Sequence, residues 1–402
     1  MSEATSSQLN TYIKRVNLKG YRTIRDVEAG FNPGLNIIIG KNGSGKTNFM
    51  SFLSRAVDLD FKSFSNFEAS IRFGGKRDYE VKATGNLSLK NDPDRFSAID
   101  FEEKVNYKLI IGNKERDFRS RKAVWDQLSD KFHLVQLIPH GIDPFFLNFI
   151  SEPFSFSIDV EKYESEVLVN LIWNSGVTPS IKNLLSRILF LVFRAESEEA
   201  SNLDLYFSER LANILKEFCE CLNENIQAYL PIESVRWSNF LTYRDVANNL
   251  LKFEGILLEF LVNGTWLPFS SLSDGTKRLF FIYSEVLARF QNAPYRQSDV
   301  ENNIILLEEP ELGIHPHQFH LIMKFLKEMS EKNQIIVTTH APQALNILSG
   351  DELDSINICS FNAEQGTTVR KLDAGQIEKA KKYMEEMYLS DYWVYSNLEE
   401  RP

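Results

Sequence analysis

Eight residues near the start of the chain have the types and spacing of a phosphate-binding loop. Glycines at the first, fourth and sixth positions let the backbone curl, so that successive N–H groups point at phosphate oxygens. A helix that follows such a loop adds the positive end of its dipole. We expect the lysine to neutralise the β- and γ-phosphates of ATP and the threonine hydroxyl to bind Mg²⁺. The predicted ATP-binding residues of the loop are Gly40, Lys41, Asn42, Gly43, Ser44, Gly45, Lys46 and Thr47.

The loop has the flanking elements that the motif requires. The run Leu35 to Ile39 is short, apolar and β-branched, which predicts a strand buried on both faces. Residues Lys46 to Leu59 have the pattern of a helix. A glycine-rich turn that matches the motif by chance is the alternative, and the strand and helix together weigh against it.

A second candidate site lies at the end of another apolar run. Four apolar residues, Ile304 to Leu307, are followed by Glu308 and Glu309. Open α/β sheets bind ligands at the carboxyl ends of their strands. We expect Glu308 to hold Mg²⁺, directly or through a water molecule, and Glu309 to polarise the water that attacks the γ-phosphate. A strand whose end is acidic by chance is the alternative, but a phosphate-binding loop needs an acidic strand, and no other segment provides one as good.

Two further segments end in residues that can bind an anion. Ser273 and Gly275 precede an amphipathic helix predicted over 279–290, and serine and glycine at a helix N-terminus form an anion site. A simple helix cap is the alternative there. The apolar strand predicted from Gln334 to Thr339 ends at His340. A lone histidine of this kind is more often structural than catalytic.

The elements that position these residues indicate an α/β fold. Residues 67–118 alternate between apolar and polar with turn signals between the runs, which predicts an antiparallel sheet. Apolar residues between Pro144 and Tyr229 recur at helical spacing, which predicts an inserted helical subdomain. Helix and strand alternate towards the end of the chain, which predicts a parallel sheet with crossover helices. The predicted units are residues 1–143 (N-terminal lobe), 144–231 (helical insert), 232–361 (C-terminal lobe) and 362–402 (a helix and an aromatic tail).

Composition excludes several classes of protein. The chain has 402 residues, of which 43% are hydrophobic and 25% charged, so collagen-like and mainly disordered proteins are excluded. Its three cysteines form no disulfide framework, and its N-terminus lacks the pattern of a signal peptide, so we expect a cytoplasmic protein. We expect no membrane span, since the apolar runs are too short. The net charge of −10 argues against a protein coated with nucleic acid, although a local basic patch remains open.

The four motifs, in their order along the chain, resemble the ABC-type nucleotide-binding domains of SMC and RecF-like ATPases. The resemblance is carried by GKNGSGKT, LSDGTKR, LLEEPELGIHP and VTTHAP, and it covers roughly residues 10–60 and 232–361. Within that group the chain is most similar to the smaller AAA-labelled ATPases of the OLD (overcoming lysogenisation defect) and anti-phage defence groups. The resemblance implies an ABC-type P-loop ATPase head, with a mixed sheet and an antiparallel β subdomain, that uses ATP and Mg²⁺.

The resemblance also implies roles for individual residues. Ser273 and Gly275 look like the signature motif, which contacts the γ-phosphate held by a second subunit. His340 looks like the switch histidine that senses the γ-phosphate, Leu312 to Pro316 looks like the D-loop, and Gln136 looks like the Q-loop glutamine. The catalytic residues would then be Glu309, His340 and Lys46.

One position departs from the pattern of the family. Glu308 stands where most ABC proteins have aspartate, and its extra methylene can make its contact with Mg²⁺ a water-mediated one. Similar Glu-Glu-Pro-Glu strings occur in the OLD group, so the change does not indicate an inactive site. Tyr21 and Arg22 lie where such proteins place residues that contact the nucleotide.

The resemblance implies a molecular switch in which ATP binding dimerises two heads and hydrolysis releases them. We expect the ATPase subunit of an anti-phage system of the PARIS or Septu type, which holds or activates a nuclease effector in trans. Its trigger would be DNA or a phage protein. Too few residues follow His340 for a nuclease domain of the usual size, so we expect no nuclease activity of its own. The alternative is a RecF-like DNA-repair ATPase. A transporter ATPase is disfavoured because of the large insert. A GTPase is disfavoured because the sequence lacks the N-K-x-D motif that reads the guanine base.

Overall fold

The computed structural model of the chain describes most of the sequence. The described residues are 11–61, 66–76, 78–89, 101–128, 133–159, 164–165, 203–287 and 302–396, with the helical positions 181, 184, 185 and 188. Within this part of the chain, no helix is long and apolar enough to cross a membrane. The described residues divide into two compact units, one within 1–140, 298–311 and 323–402, the other within 141–297 and 312–322.

The elements are numbered here in chain order. The strands are β1 (Thr11–Tyr21), β2 (Ile24–Gly30), β3 (Leu35–Ile39), β4 (Phe67–Gly75), β5 (Tyr79–Leu89), β6 (Phe101–Ile111), β7 (Lys114–Phe118), β8 (His133–Ile138), β9 (Phe154–Asp159), β10 (Glu164–Ser165), β11 (Ser234–Trp237), β12 (Leu241–Asp245), β13 (Leu250–Ile256), β14 (Leu258–Val262), β15 (Thr265–Pro268), β16 (Asn302–Glu308), β17 (Gln334–Thr339), β18 (Ile356–Asn362) and β19 (Gly366–Lys371). The helices are α1 (Lys46–Val57), α2 (Arg121–Gln127), α3 (Pro144–Ser151), α4 (Leu203–Asn223), α5 (Ile226–Tyr229), α6 (Asp274–Leu287), α7 (Pro316–Met329), α8 (Ala374–Met384) and α9 (Leu389–Tyr395).

The first unit is built on a mixed sheet in the order β7-β6-β5-β4-β1-β2-β19-β18-β3-β17-β16-β8. The strands from β18 to β8 in this order are parallel, and the others pair antiparallel. Every residue of β3 and β17 is buried, as is the run Ile304 to Leu307 of β16. Strands covered on both faces need continuous apolar runs, which is the pattern that predicted them.

The remainder of that sheet confirms the antiparallel region predicted over residues 67–118. Strands β4 to β7 pair in sequence, and buried and exposed residues alternate along most of β4. The buried face of β1 and β4 packs in one cluster with α1, through Phe49, Phe52 and Leu53 of the helix. The helix that follows the phosphate-binding loop is therefore fixed by core packing as well as by its own hydrogen bonds.

A buried glutamine connects the start of β17 to two earlier segments of the first unit. Gln334 is fully buried, and its Oε1 accepts from the N–H of Ile13 at 2.8 Å. Its Nε2 donates to the carbonyl oxygens of Ile13 and Asn32, both at 2.9 Å. Because buried polar groups are costly unless hydrogen-bonded, this one side chain satisfies several groups at once.

The second unit contains two small antiparallel sheets, in the orders β10-β9-β13-β12 and β11-β14-β15. The segment 144–231 was expected to be helical, and the structure corrects this: β9 and β10 lie within it. The sequence FSFSID of β9 alternates with a period of two, but its partner β13 is distant in sequence, so the pairing is non-local. Leu184, Leu185 and Ile188 are helical as predicted, and they are buried, as is the helical Ile181; the run at residues 168–172 lies outside the described residues.

The division of the chain differs from the predicted lobes. The first boundary, between residues 140 and 141, is close to the predicted one at 143. The expected C-terminal lobe, 232–361, is divided between the two units, because β16 joins the large sheet and α6 belongs to the second unit. Helix α6 also begins earlier than predicted, at Asp274, since the hydroxyl of Ser273 caps its first turn.

Candidate nucleotide site

The phosphate-binding loop connects β3 to α1 and has the backbone conformation that its glycines allow. Gly43 and Gly45 have φ angles of 79° and 96°, which residues with a side chain rarely adopt. A Cβ at Gly40 would lie 2.1 Å from the carbonyl oxygen of Cys359, and one at Gly45 would lie 2.1 Å from Oγ1 of Thr367. Strands β18 and β19 therefore hold the loop closely from one side.

The loop presents a lysine and a helix N-terminus. Lys46 is only 4% exposed, and its Nζ donates to the carbonyl oxygens of Gly40 at 2.8 Å and Lys41 at 3.1 Å. Gly45, at the N-cap of α1, has no side chain to cap the helix. The first N–H groups of α1 are thus available to an anion, and Thr47 lies exposed in the same turn.

The buried thiol of Cys359 packs against the phosphate-binding loop. Burial raises the pKa of the Cys359 thiol to about 11, so the group stays protonated near neutral pH. Its Sγ donates to the carbonyl oxygen of Ser44 at 3.5 Å. We therefore assign Cys359 a packing role beneath the loop.

The turn between β1 and β2 brings an arginine to the start of α1. Arg22 has a φ of 50°, and its Nη1 donates to Oδ1 of Asn48 at 3.1 Å. Asn48 donates in turn to Oγ1 of Thr23 at 2.9 Å, and Thr367 donates to the same oxygen. Arg22 thus contacts the residue that follows Thr47 in α1, and its guanidinium lies 5.1 Å from the ring centroid of Tyr21, which is 8% exposed.

Glu308 ends β16 at the carboxyl edge of the large sheet, between β17 and β8. It is 5% exposed, and its Oε2 lies 3.9 Å from Nδ1 of His140. A carboxylate held at this edge, with the threonine hydroxyl of the phosphate-binding loop, provides the oxygen ligands that Mg²⁺ prefers. His140 was not predicted as a site residue, and it lies two residues after the end of β8.

Glu309 breaks the strand immediately after Glu308. Its φ is 41°, and its N–H donates to the carbonyl oxygen of Thr338 at 2.8 Å. A left-handed conformation is costly for a residue with a side chain and is typical of functional sites. The side chain is 22% exposed, so water can reach it, and its Oε1 lies 3.9 Å from Nδ1 of His340.

A third carboxylate, Glu311, was given no role by the sequence analysis. Its Oε1 accepts from Oγ1 of Thr339 at 2.7 Å and from the N–H of His340 at 2.9 Å. The same oxygen lies 3.2 Å from Nδ1 of His340. The available signal was the third acidic residue of the Glu-Glu-Pro-Glu string.

The predicted Q-loop glutamine is not brought to this edge of the sheet. The register pairs Gln136 of β8 with Ile305 of β16, three residues before Glu308. Its side chain lies outside the described part of the structure. The role of Gln136 stays a prediction from the resemblance, and His140 is the residue that follows β8 to the acidic edge.

The predicted signature motif lies in the second unit. Oγ of Ser273 accepts from the N–H of Thr276 at 3.2 Å and lies 2.8 Å from the hydroxyl of that threonine. A Cβ at Gly275 would lie 2.6 Å from the carbonyl oxygen of Gly313, in the predicted D-loop Leu312 to Pro316. Ser273 thus caps α6, and the glycine allows the D-loop backbone to approach the helix closely.

The arrangement in the first unit fits a nucleotide with Mg²⁺. The loop places backbone N–H groups, Lys46 and the start of α1 around a space for phosphates. Glu308 and Thr47 would hold the metal ion, which when bound would neutralise phosphate charge. Glu309 can accept a proton from water, and His340 can donate to a phosphate oxygen.

Comparison with known proteins agrees with this geometry. A family model described as an AAA ATPase domain matches residues 12–135, and one described as an AAA domain, with a type IV toxin–antitoxin system as its context, matches residues 177–346. Endonuclease GajA of Bacillus cereus is 23% identical over 93% of this chain and 62% of its own length. OLD nuclease of Thermus scotoductus is 24% identical over 88% of this chain and 65% of its own length. The chain is therefore similar to OLD-like ATPases of the SMC and RecF type.

The chain spans about two thirds of the length of those two relatives. DNA replication and repair protein RecF of Streptococcus equi subsp. zooepidemicus is 51% identical over 115 residues, which are 25% of this chain and 29% of RecF. An Smc head domain with a coiled coil and joint from Pyrococcus yayanosii matches over 94% of this chain and 100% of its own length, at 14% identity and a TM-score of 0.48. The ABC-type head fold of the chain is apparent from its own mixed sheet, with the phosphate-binding loop after β3 and the acidic edge after β16.

Proposed function

We propose that the protein is a molecular switch that binds and hydrolyses ATP. The observation that carries this proposal is the pairing of a complete phosphate-binding loop with a water-accessible carboxylate, Glu309, held in a left-handed conformation. The matching AAA families support an ATPase.

The residues act in sequence on the bound nucleotide. Lys46 and the N-terminus of α1 bind the phosphates and offset their charge. Glu309 orients a water molecule and accepts its proton as the oxygen attacks the γ-phosphorus, while the bond from that phosphorus to the bridging oxygen breaks and ADP leaves. His340 donates a hydrogen bond to the γ-phosphate and stabilises charge that develops on it. Loss of the phosphate removes that contact, which is how the site would report hydrolysis.

Substitution of the base tests hydrolysis directly. Glu309→Gln keeps the shape of the side chain but cannot accept the proton, so ATP should bind while turnover falls about 100-fold or more. Binding is measured with a fluorescent ATP analogue and turnover by phosphate release. Near-normal turnover in this variant would remove Glu309 from its role as base.

We propose further that two copies close head to head on ATP, with Ser273 of one copy reaching the γ-phosphate bound by the other. Lys46→Ala and Ser273→Arg should each abolish hydrolysis alone. Mixed dimers of the two variants would carry both defects at one site and leave the other site intact, so activity should return on mixing. If Ser273 served its own subunit, both sites would carry a defect and mixing would restore nothing.

We also propose a biological setting in anti-phage defence, as a cytoplasmic sensor or regulator ATPase of the PARIS or Septu type. GajA and OLD nuclease, which align with most of this chain, are nucleases by name, and this supports a link to nucleic-acid cleavage. We place the cleavage in an effector that the ATPase holds or activates in trans, with DNA or a phage protein as the trigger. The pure protein is incubated with plasmid, single-stranded DNA and tRNA, with Mg²⁺ or Mn²⁺ and ATP. Cleavage that disappears with a point mutation in this chain would overturn this part of the proposal.

A RecF-like or SMC-like DNA-repair ATPase is the second candidate, favoured by the local 51% identity to RecF. It predicts ATP-dependent DNA binding by the Glu309→Gln variant. The most basic stretch of the chain, Lys104 to Lys122, offers little for this, since Lys108 lies 3.0 Å from Glu115 and Arg121 lies 3.5 Å from Asp60. DNA binding that requires ATP would favour repair, and an adjacent nuclease gene would favour defence.

A further inference from the structure

Two carboxylates lie near His340, and their distances to its ring differ. Oε1 of Glu311 is 3.2 Å from Nδ1, within the range of a hydrogen bond, whereas Oε1 of Glu309 is 3.9 Å away. The carboxylate that contacts the histidine is therefore the one with no assigned role.

Glu311 also forms hydrogen bonds with the backbone N–H of His340 and with the side chain of the preceding residue, Thr339. The same Oε1 accepts from the N–H of His340 and from the hydroxyl of Thr339, and that hydroxyl accepts from the N–H of Ala341 at 2.9 Å. The side chain of Glu311 is only 9% exposed and Thr339 is fully buried, so water competes little for these bonds. One side chain therefore restrains the residue before the histidine, the peptide N–H of the histidine and its ring.

We propose that Glu311 is a positioning residue that sets the orientation and tautomer of His340. Oε1 of Glu311 accepts a hydrogen bond from Nδ1–H, because an ionised carboxylate oxygen can only accept and the facing nitrogen must then donate. Nε2 is then the ring nitrogen that faces the phosphate, and it donates a hydrogen bond there only while it carries a proton as well. Glu309, which lies farther from the ring, remains available as the base that accepts a proton from water. The consequence for the γ-phosphate rests on the function proposed above, whereas the tautomer is a property of the protein without nucleotide.

The tautomer is measured without nucleotide, from ¹⁵N NMR shifts of the ring nitrogens in histidine-labelled protein. The chain has six histidines, and His340→Asn identifies the signal. Wild-type His340 should carry its proton on Nδ1. Glu311→Gln, whose amide oxygen can still accept, should keep that state, and Glu311→Ala should lose it. Glu309→Gln is the matched control and should leave the signal as in the wild type.

Two results would overturn the assignment: a ring of wild-type His340 whose single proton lies on Nε2, or an unchanged Nδ1–H signal in Glu311→Ala. Kinetics give a second readout. Misplacing the histidine should lower kcat of Glu311→Ala by about tenfold to a hundredfold while KM stays near that of the wild type, because Lys46 and the loop bind the phosphates. Partial recovery in Glu311→Gln separates positioning from a loss of folding. A wild-type protein that does not hydrolyse ATP would contradict the proposed function and leave the NMR result to decide the tautomer.

Discussion

Replacing Gly45 by alanine should damage the phosphate-binding loop for two separable reasons. The first is the backbone, because a φ of 96° lies outside the region that residues with a side chain adopt readily. The second is space, because the new Cβ would lie 2.1 Å from Oγ1 and 2.8 Å from Cγ2 of Thr367. Gly43 provides a matched control: its φ is also positive, at 79°, but a Cβ there would meet nothing within 4 Å.

These two reasons can be given magnitudes. A strained backbone conformation costs about 1–3 kcal/mol, and a side chain forced into filled space costs about 1–3 kcal/mol more. The free energy of unfolding should therefore fall by about 2–6 kcal/mol in Gly45→Ala. Gly43→Ala carries only the backbone cost, about 1–2 kcal/mol. Thr367→Ala removes the two closest atoms and leaves only Cβ of residue 367, at 3.0 Å, so Gly45→Ala with Thr367→Ala should recover most of the steric cost.

Thermal unfolding of the nucleotide-free protein measures the series, at about 2–4 °C per kcal/mol for a unit of this size. Thr367→Ala alone should cost about 1 kcal/mol, since it loses the hydrogen bond to Thr23. The double variant should then be more stable than the sum of the single changes predicts, by about 1–3 kcal/mol. Equal losses in Gly45→Ala and Gly43→Ala, or strict additivity with Thr367→Ala, would refute the close approach of β19 to the loop.

Three other changes probe the loop, the buried framework and an ion pair. Lys46→Ala should abolish binding of a fluorescent ATP analogue, because phosphate charge is left uncompensated, while the melting temperature without nucleotide stays similar. Gln334→Leu should lower the free energy of unfolding in urea by about 3 kcal/mol, since it leaves buried backbone groups without partners. The pKa of Asp245 is lowered from 3.8 to about 2, mainly by the hydrogen bond from Lys252. The ionised carboxylate therefore stabilises the β12–β13 hairpin above pH 3.8, and this stabilisation is lost as the pH falls towards 2. Hydrogen exchange of the hairpin should show this acid sensitivity in the wild type and less of it in Asp245→Asn.

The parts of the site that could be predicted from sequence are those fixed by local pattern. The run Leu35 to Ile39, the glycine loop and the start of α1 at Lys46 follow from residues adjacent in the chain. The strands inside the helical insert were missed because β9 finds its partner β13 far along the chain. Periodicity describes one segment at a time, so it cannot show which distant segment covers an edge.

The three carboxylates of the Glu-Glu-Pro-Glu string show why the rest of the site needed the structure. Side chains alternate across a strand, so Glu308 and Glu309 would face opposite sides of the sheet if β16 continued through both. The left-handed conformation of Glu309 ends that alternation, and its N–H bonds to Thr338 instead of extending the strand. The chain then turns through Pro310 and returns Glu311 to the end of β17. The four residues alone do not encode this turn, because the hydrogen bonds that hold it are made with Thr338, Thr339 and His340. The same string could have ended a regular strand with one acid buried and one in solvent, and only the contacts with β17 distinguish the two outcomes.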